Sequence, residues 1–147
     1  MADITLISGS TLGSAEYVAE HLAELLEQQG FSTDVQHGPQ LDDLPQSGLW
    51  LLVTSTHGAG ELPDNLQPLF KQISDRQPDL SQVSYGAIGI GSKEYDTFCG
   101  AIVTVDRILA DRGAKRIGEM LQIDITEHDI PEDPAEVWLA PWVKLLD

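Results

Sequence analysis

The chain has 147 residues, 24 acidic against eight basic side chains, a formal net charge of −16 and one cysteine. That length predicts a single domain over residues 1–147 that buries roughly 68% of its extended-chain surface, and the lone Cys99 excludes an internal disulfide framework and an all-thiolate metal site. All eight basic residues lie at or beyond Lys71, and residues 1–70 carry ten acids with no Lys or Arg, so nucleic acid and anionic membrane surfaces are excluded as partners. No apolar run approaches the ~18 residues that a bilayer span needs. Met1-Ala2-Asp3 lacks the basic start of a secretory signal, so a cytoplasmic location is expected. The acidic excess reads either as a solubilising surface or as a docking face for basic partner proteins.

Strand and helix signals alternate along the chain. Ile4-Thr5-Leu6-Ile7 is an apolar, β-branched run that ends at Ser8-Gly9. Ala15, Val18, Ala19, Leu22, Leu25 and Leu26 then share one helical face, with Glu16, Glu20, Glu24 and Glu27 on the other and Gly30 as the stop. Phe31–Val35 predicts an edge strand and Trp50–Thr54 a buried one. A short helix after Asp64-Asn65 carries Leu66, Leu69, Phe70 and Ile73 on one side. Tyr85–Ile90 predicts a further strand whose glycines admit a close neighbour. Phe98, Ala101, Ile102, Val105, Ile108 and Leu109 repeat the first helix's spacing, ended by Gly113. Arg116-Ile117 to Ile125 predicts the last strand, broken at Gly118, and Ala135–Leu146 a closing helix with Trp138 and Trp142 as packing residues. Five strands interleaved with helices predict a three-layer α/β fold, a parallel sheet covered on both faces. Ligands of such sheets bind beyond the strands' carboxyl ends, at the topological switch point.

Three loops leave that edge. Ser8-Gly9-Ser10-Thr11-Leu12-Gly13-Ser14 joins small residues and hydroxyls to a helix N-terminus, whose free N–H groups suit an anion. No Lys follows, and the glycines do not fit G-x-G-x-x-G, so neither a nucleoside triphosphate loop nor a dinucleotide fingerprint is present. A cradle for one terminal phosphate, held by neutral donors, and a plain helix-capping turn both fit. Thr54-Ser55-Thr56-His57-Gly58-Ala59-Gly60-Glu61 offers peptides free to reorient and a planar ring at His57. Gly89-Ile90-Gly91-Ser92-Lys93-Glu94-Tyr95 places Tyr95 outside the next helix's core stripe, where it is free to cover a ligand. Phe98 fits that stripe, and Cys99 reads as a packed thiol. His21, His37, His57 and His128 show no metal-ligand spacing.

Together these loops resemble the flavodoxin family, and most closely the flavodoxin-like domains of diflavin reductases, over roughly residues 3–146. Ser10–Glu16 resembles the family's phosphate loop, with Leu12 in place of the usual threonine. Thr56–Glu61 is similar to its Thr-aromatic-Gly-x-Gly-[Glu/Asp] loop, with His57 at the aromatic position. Gly89–Tyr95 resembles the loop that bears the outer stacking tyrosine.

The resemblance implies the flavodoxin sheet, five parallel strands in the order 2-1-3-4-5, and FMN as cofactor. It implies that Ser10, Thr11, Leu12, Gly13 and Ser14 hold the phosphate, and that Ser55, Thr56, His57, Gly58, Ala59 and Gly60 line the inner side of the ring. Gly89, Gly91, Ser92 and Tyr95 follow on the outer side, with Phe98, Cys99 and Asp124 completing the set. The peptide of Gly58 is expected to turn so that its carbonyl accepts the flavin N5–H in the one-electron state. Function by resemblance is one-electron transfer from a flavin reductase to an acceptor enzyme, with iron–sulfur and radical enzymes such as biotin synthase among the family's acceptors. Partners would dock on an acidic face, with a monomer and a weak dimer both open. No nucleophile–base pair marks a substrate-transforming enzyme. The alternative is a small FMN-dependent NAD(P)H oxidoreductase. A phospho-accepting receiver, which shares the fold, is disfavoured because Ser8-Gly9 and Thr54-Ser55 stand where its acids belong.

Overall fold

The computed structural model describes residues 3–9, 14–55, 62–91, 100–127 and 130–146. Strand β1 (Ile4–Gly9) is buried along its whole length and lies between β2 (Thr33–His37) and β3 (Gly48–Ser55). Beyond β3 comes β4 (Val83–Gly91), and every pairing is parallel. With β5 (Lys115–Arg116) beyond β4, the order β2-β1-β3-β4-β5 is the predicted one. Helices α1 (Ser14–Gln28) and α4 (Glu132–Lys144) cover one face, with Val18, Leu22, Leu26, Leu139 and Trp142 packed on Leu6, Leu51 and Ile88. Helices α2 (Gln67–Arg76) and α3 (Gly100–Asp111) cover the other, with Leu69, Phe70, Ile73, Ile102 and Val105 packed on Ile7, Trp50 and Leu52.

Three elements depart most from expectation, each for a local reason. β2 begins at Thr33 rather than Phe31, because the Phe31 N–H closes the end of α1 on the Leu26 carbonyl at 3.1 Å. Ser32 and Asp3 then bond each other reciprocally, at 2.8 and 3.0 Å, before pairing starts. The expected last strand is two strands, β5 (Lys115–Arg116) and β6 (Leu121–Asp124), and both pair with β4. Tyr85 faces Arg116 and Ile88 faces Leu121, so residues 117–120 stand opposite only Gly86 and Ala87. Gly118, at φ +73°, turns the chain through this excursion. The sheet therefore has six strands rather than five.

The indoles of α4 close the excursion. Trp142 Nε1 donates to the Ile117 carbonyl at 3.1 Å, and Trp138 Nε1 donates to the Glu119 carbonyl at 3.0 Å. The two rings stack at 5.4 Å, which confirms their packing role. Trp142 lies over Gly86, where an added Cβ would come within 2.8 Å of the ring. α4 starts at Glu132, earlier than expected, because Pro134 sits in its first turn, where a missing N–H costs no helical bond.

At the amino end of the sheet, Tyr85 ties β4 to α3 and β5. It is 1% exposed, and its hydroxyl donates to Asp106 Oδ1 at 2.6 Å. Arg116 reaches Asp106 Oδ2 at 3.1 Å. A hydrogen bond to a charged acceptor is worth about 1.5–3 kcal/mol, so Tyr85→Phe should lower unfolding stability by about that amount in urea denaturation, with an unchanged slope. Burial, and then the Asp106 carboxylate, push the phenol ionisation well above its ordinary range. The raised folded-state value means that this contribution is complete below pH ~10 and is lost as pH climbs beyond it. The phenylalanine variant should show a correspondingly shallower alkaline loss.

Candidate flavin site

The strand register aligns the carboxyl ends into a stepped rim. Gly9, Thr54, Gly89 and Gln122 form one row across β1, β3, β4 and β6. Ser55, Ile90 and Ile123 form the next, and Gly91 with Asp124 the last. β1 leads outward to β2, whereas the chain then crosses to β3 on β1's other side. The crevice between Gly9 and Thr54-Ser55 is therefore the topological switch point, where α/β sheets bind ligands.

Of the residues expected to bind cofactor, Ser10, Thr11, Leu12 and Gly13 lie outside the described residues. So do Thr56, His57, Gly58, Ala59 and Gly60, and likewise Ser92, Tyr95, Phe98 and Cys99. The described ones gather at the rim. Ser14 opens α1, Ser55 ends β3 half-buried, Gly89 lies within β4, and Gly91 ends it. Asp124 ends β6 at 3% exposure, and its Oδ1 accepts from the Thr126 N–H at 3.0 Å and the Thr126 hydroxyl at 2.7 Å. That carboxylate shapes the turn by which the chain leaves the rim. The Ile125 N–H adds a bond to the Gly91 carbonyl at 2.9 Å, which fixes the two strand ends together.

Two residues that sequence reasoning did not assign to the site close over the end of β1. Leu66 and Asn65 lie directly over Gly9, where an added Cβ would come within 2.2 Å of Leu66 Cγ and 2.9 Å of Asn65 Oδ1. Only glycine leaves space for that closure. Asn65 Nδ2 also donates to Glu16 Oε1 at 3.2 Å. Glu16 stands in the first turn of α1, where its charge opposes any anion at the helix N-terminus, and the amide draws off part of that charge. The Asp64-Asn65 pair was legible as a helix start, but its reach back to residue 9 carries no local signal.

The rim suits a phosphate-bearing planar group. Glycine at positions 9, 89 and 91 brings bare backbone to the edge, and α1 starts within five residues of β1. The donors of residues 8–14 are neutral hydroxyls and amides. A family model for flavodoxin matches residues 6–138. The chain belongs to the flavodoxin family. Protein MioC of Escherichia coli (strain K12) is 65% identical over 146 residues, 99% of each chain. Flavodoxin YqcA of the same strain is 38% identical over 148 residues, again 99% of each. A cysteine-to-serine mutant of flavodoxin from Pseudomonas aeruginosa superposes with a TM-score of 0.86 at 39% identity, over 97% of each chain. Flavodoxins bind flavin and carry electrons between redox partners, and the chain is an electron carrier of this type. Among the described residues no helix is long and apolar enough to cross a membrane.

Proposed function

We propose that this flavodoxin is one FMN-binding domain over residues 1–147 that passes single electrons from a flavin reductase to an acceptor enzyme. The observation that carries the reading is the glycine-edged rim at the switch point, set beside a helix N-terminus in a half-chain without Lys or Arg. Residues 10–14 hold the phosphate through neutral donors, and Ser55 to Gly60, Gly89, Gly91, Ser92 and Tyr95 bracket the ring, with Phe98, Cys99 and Asp124 behind it. When bound, FMN supplies one-electron chemistry, and the protein's part is to hold, shield and tune it. A fixed negative charge ~10 Å from the flavin, at effective ε of ~20, disfavours an added electron by about 1.7 kcal/mol, or ~70 mV before screening. The 24 acids thus make the reduced protein the stronger donor and steer basic partners toward it. Iron–sulfur and radical enzymes such as biotin synthase are the acceptor class that we assign. The protein transforms no substrate of its own and works in the cytoplasm.

Purified protein given FMN should turn yellow and retain the flavin through gel filtration. A sample that takes up none overturns the proposal. Tyr95→Ala should weaken FMN by ~1–3 kcal/mol, about 5- to 150-fold, on fluorescence titration, the value of an aromatic stacking platform. NAD(P)H added without a reductase should leave the flavin absorbance intact, whereas rapid bleaching would favour the oxidoreductase alternative.

A further inference from the structure

A second polar arrangement lies where the ends of β1 and β2 meet α1. Ser8, fully buried in β1, hydrogen-bonds His37 Nδ1 through its hydroxyl. Its carbonyl accepts the Gly38 N–H at 3.0 Å, so the end of β2 holds Ser8 through both its hydroxyl and its carbonyl. The other imidazole nitrogen, His37 Nε2, lies 3.3 Å from Glu20 Oε1 on α1. One side chain therefore bridges the strand that enters the loop and the helix that leaves it. Nothing in the metal-ligand or stacking logic of the sequence requires a histidine there.

We propose that His37 is a positioning residue of the phosphate loop, fixing β1 against α1 and adding a positive charge beside the loop when protonated. This rests on the flavin reading above. In the neutral ring, the Ser8 hydroxyl donates to Nδ1 and Nε2–H donates to Glu20, which selects one tautomer. Protonation from solvent, which reaches the 36% exposed side chain, reverses the first bond: Nδ1–H then donates to Ser8 Oγ. The second becomes a charge-assisted pair with the Glu20 carboxylate. The single proton takes the His37–Glu20 pair from a net charge of −1 to zero, and that one-unit change favours an anion nearby.

The surroundings hold no competing cation among the described residues. From α1, Glu20 meets the ring, with Glu24 one turn further along and Glu16 taking the Asn65 amide. Glu27 is held by Thr33 at the other end of β2, and β1 presents only the uncharged Ser8. Within β2, Asp34 accepts from Gln36 at 2.8 Å, and Asp64 stands beside Asn65. His21, the other described histidine, lies on α1 and faces Glu136 of α4 at 3.5 Å instead.

The test compares FMN and riboflavin binding to the wild type and His37→Gln between pH 5.5 and 8.5. Riboflavin lacks the phosphate, and glutamine keeps a neutral donor and acceptor. The ratio of wild-type to variant FMN affinity should rise about fivefold as pH falls, the scale of one unit charge ~10 Å away at effective ε between ~20 and ~80. The phosphate's own proton, bound near pH 6, weakens FMN binding in both proteins, so the ratio isolates the part that depends on His37. The riboflavin ratio should stay flat. On the unaltered protein, binding FMN should raise the imidazole titration midpoint of His37, followed by NMR, by about 0.7 pH unit, because linkage is reciprocal. A pH-invariant FMN ratio, an equal rise with riboflavin or an unmoved NMR midpoint overturns the assignment while leaving the flavin reading intact. No FMN uptake at any pH overturns both.

Discussion

Gly9→Val is expected to lower unfolding stability by about 3 kcal/mol or more and to abolish stable FMN uptake. Leu66 is 1% exposed, and its Cγ occupies the space into which any side chain at position 9 must point. Overpacking of this kind typically costs about 1–3 kcal/mol for a small addition, so Gly9→Ala should fall in that range and the branched valine beyond it. Leu66 cannot retreat, because it packs within the core formed by Leu69, Phe70 and Ile73. Its displacement would drag Asn65 from Glu16, at the start of α1. The measurement is chemical denaturation of Gly9→Ala, Leu66→Ala and the double variant. Removing Leu66 should cost less when Gly9→Ala is already in place, with a coupling of roughly 0.5–3 kcal/mol. Additive losses would mean that the two residues do not compete for the same space.

The second large effect is expected at the tryptophan pair. Trp142 is 2% exposed, and Trp142→Ala should cost about 3–5 kcal/mol, the range for removing a buried indole. Part of that loss is polar, since the Ile117 carbonyl would lose its 3.1 Å donor inside the fold. Trp142→Phe separates the contributions: it restores most of the packing over Gly86 while leaving Ile117 without the indole N–H. It should therefore recover more than half of the loss in urea denaturation. Both variants should also lose the near-ultraviolet circular dichroism of the stacked pair. Retention of that signal in Trp142→Ala would show that the stacked pair is not its source.

The sequence carried the alternation of strands and helices, because each helix writes its buried face at 3.6-residue spacing and each buried strand is an unbroken apolar run. It carried the rim as well, since the strand ends at Gly9, Ser55 and Gly91 gather there through the parallel topology. What it did not carry was set by distant partners. The start of β2 moved because Phe31 was claimed by the end of α1. The split of the last strand depends on two indole donors about twenty residues further along, and Gly118 alone could only mark a break. The short 3-10 turn at Leu41–Asp43, absent from the periodic pattern, is held by the Gln72 side chain, which accepts from Leu41 N–H at 2.8 Å. The Ser8–His37–Glu20 arrangement spans three elements, so inspection for metal-ligand spacing passed over it.

The excursion at residues 117–120 also bears on the order of assembly. Its carbonyls at Ile117 and Glu119 find their donors only on α4, the last described element to leave the ribosome. That helix therefore completes the hydrogen bonding of the segment that leads into β6, whose own ladder on β4 runs from Leu121 to Asp124. The elements at the other end of the rim, β1, β2 and α1, all lie within the first third of the chain. The two ends of the rim thus differ in when their bonding partners enter the chain: those of Ser8 early, and those of residues 117–120 only with the last described helix.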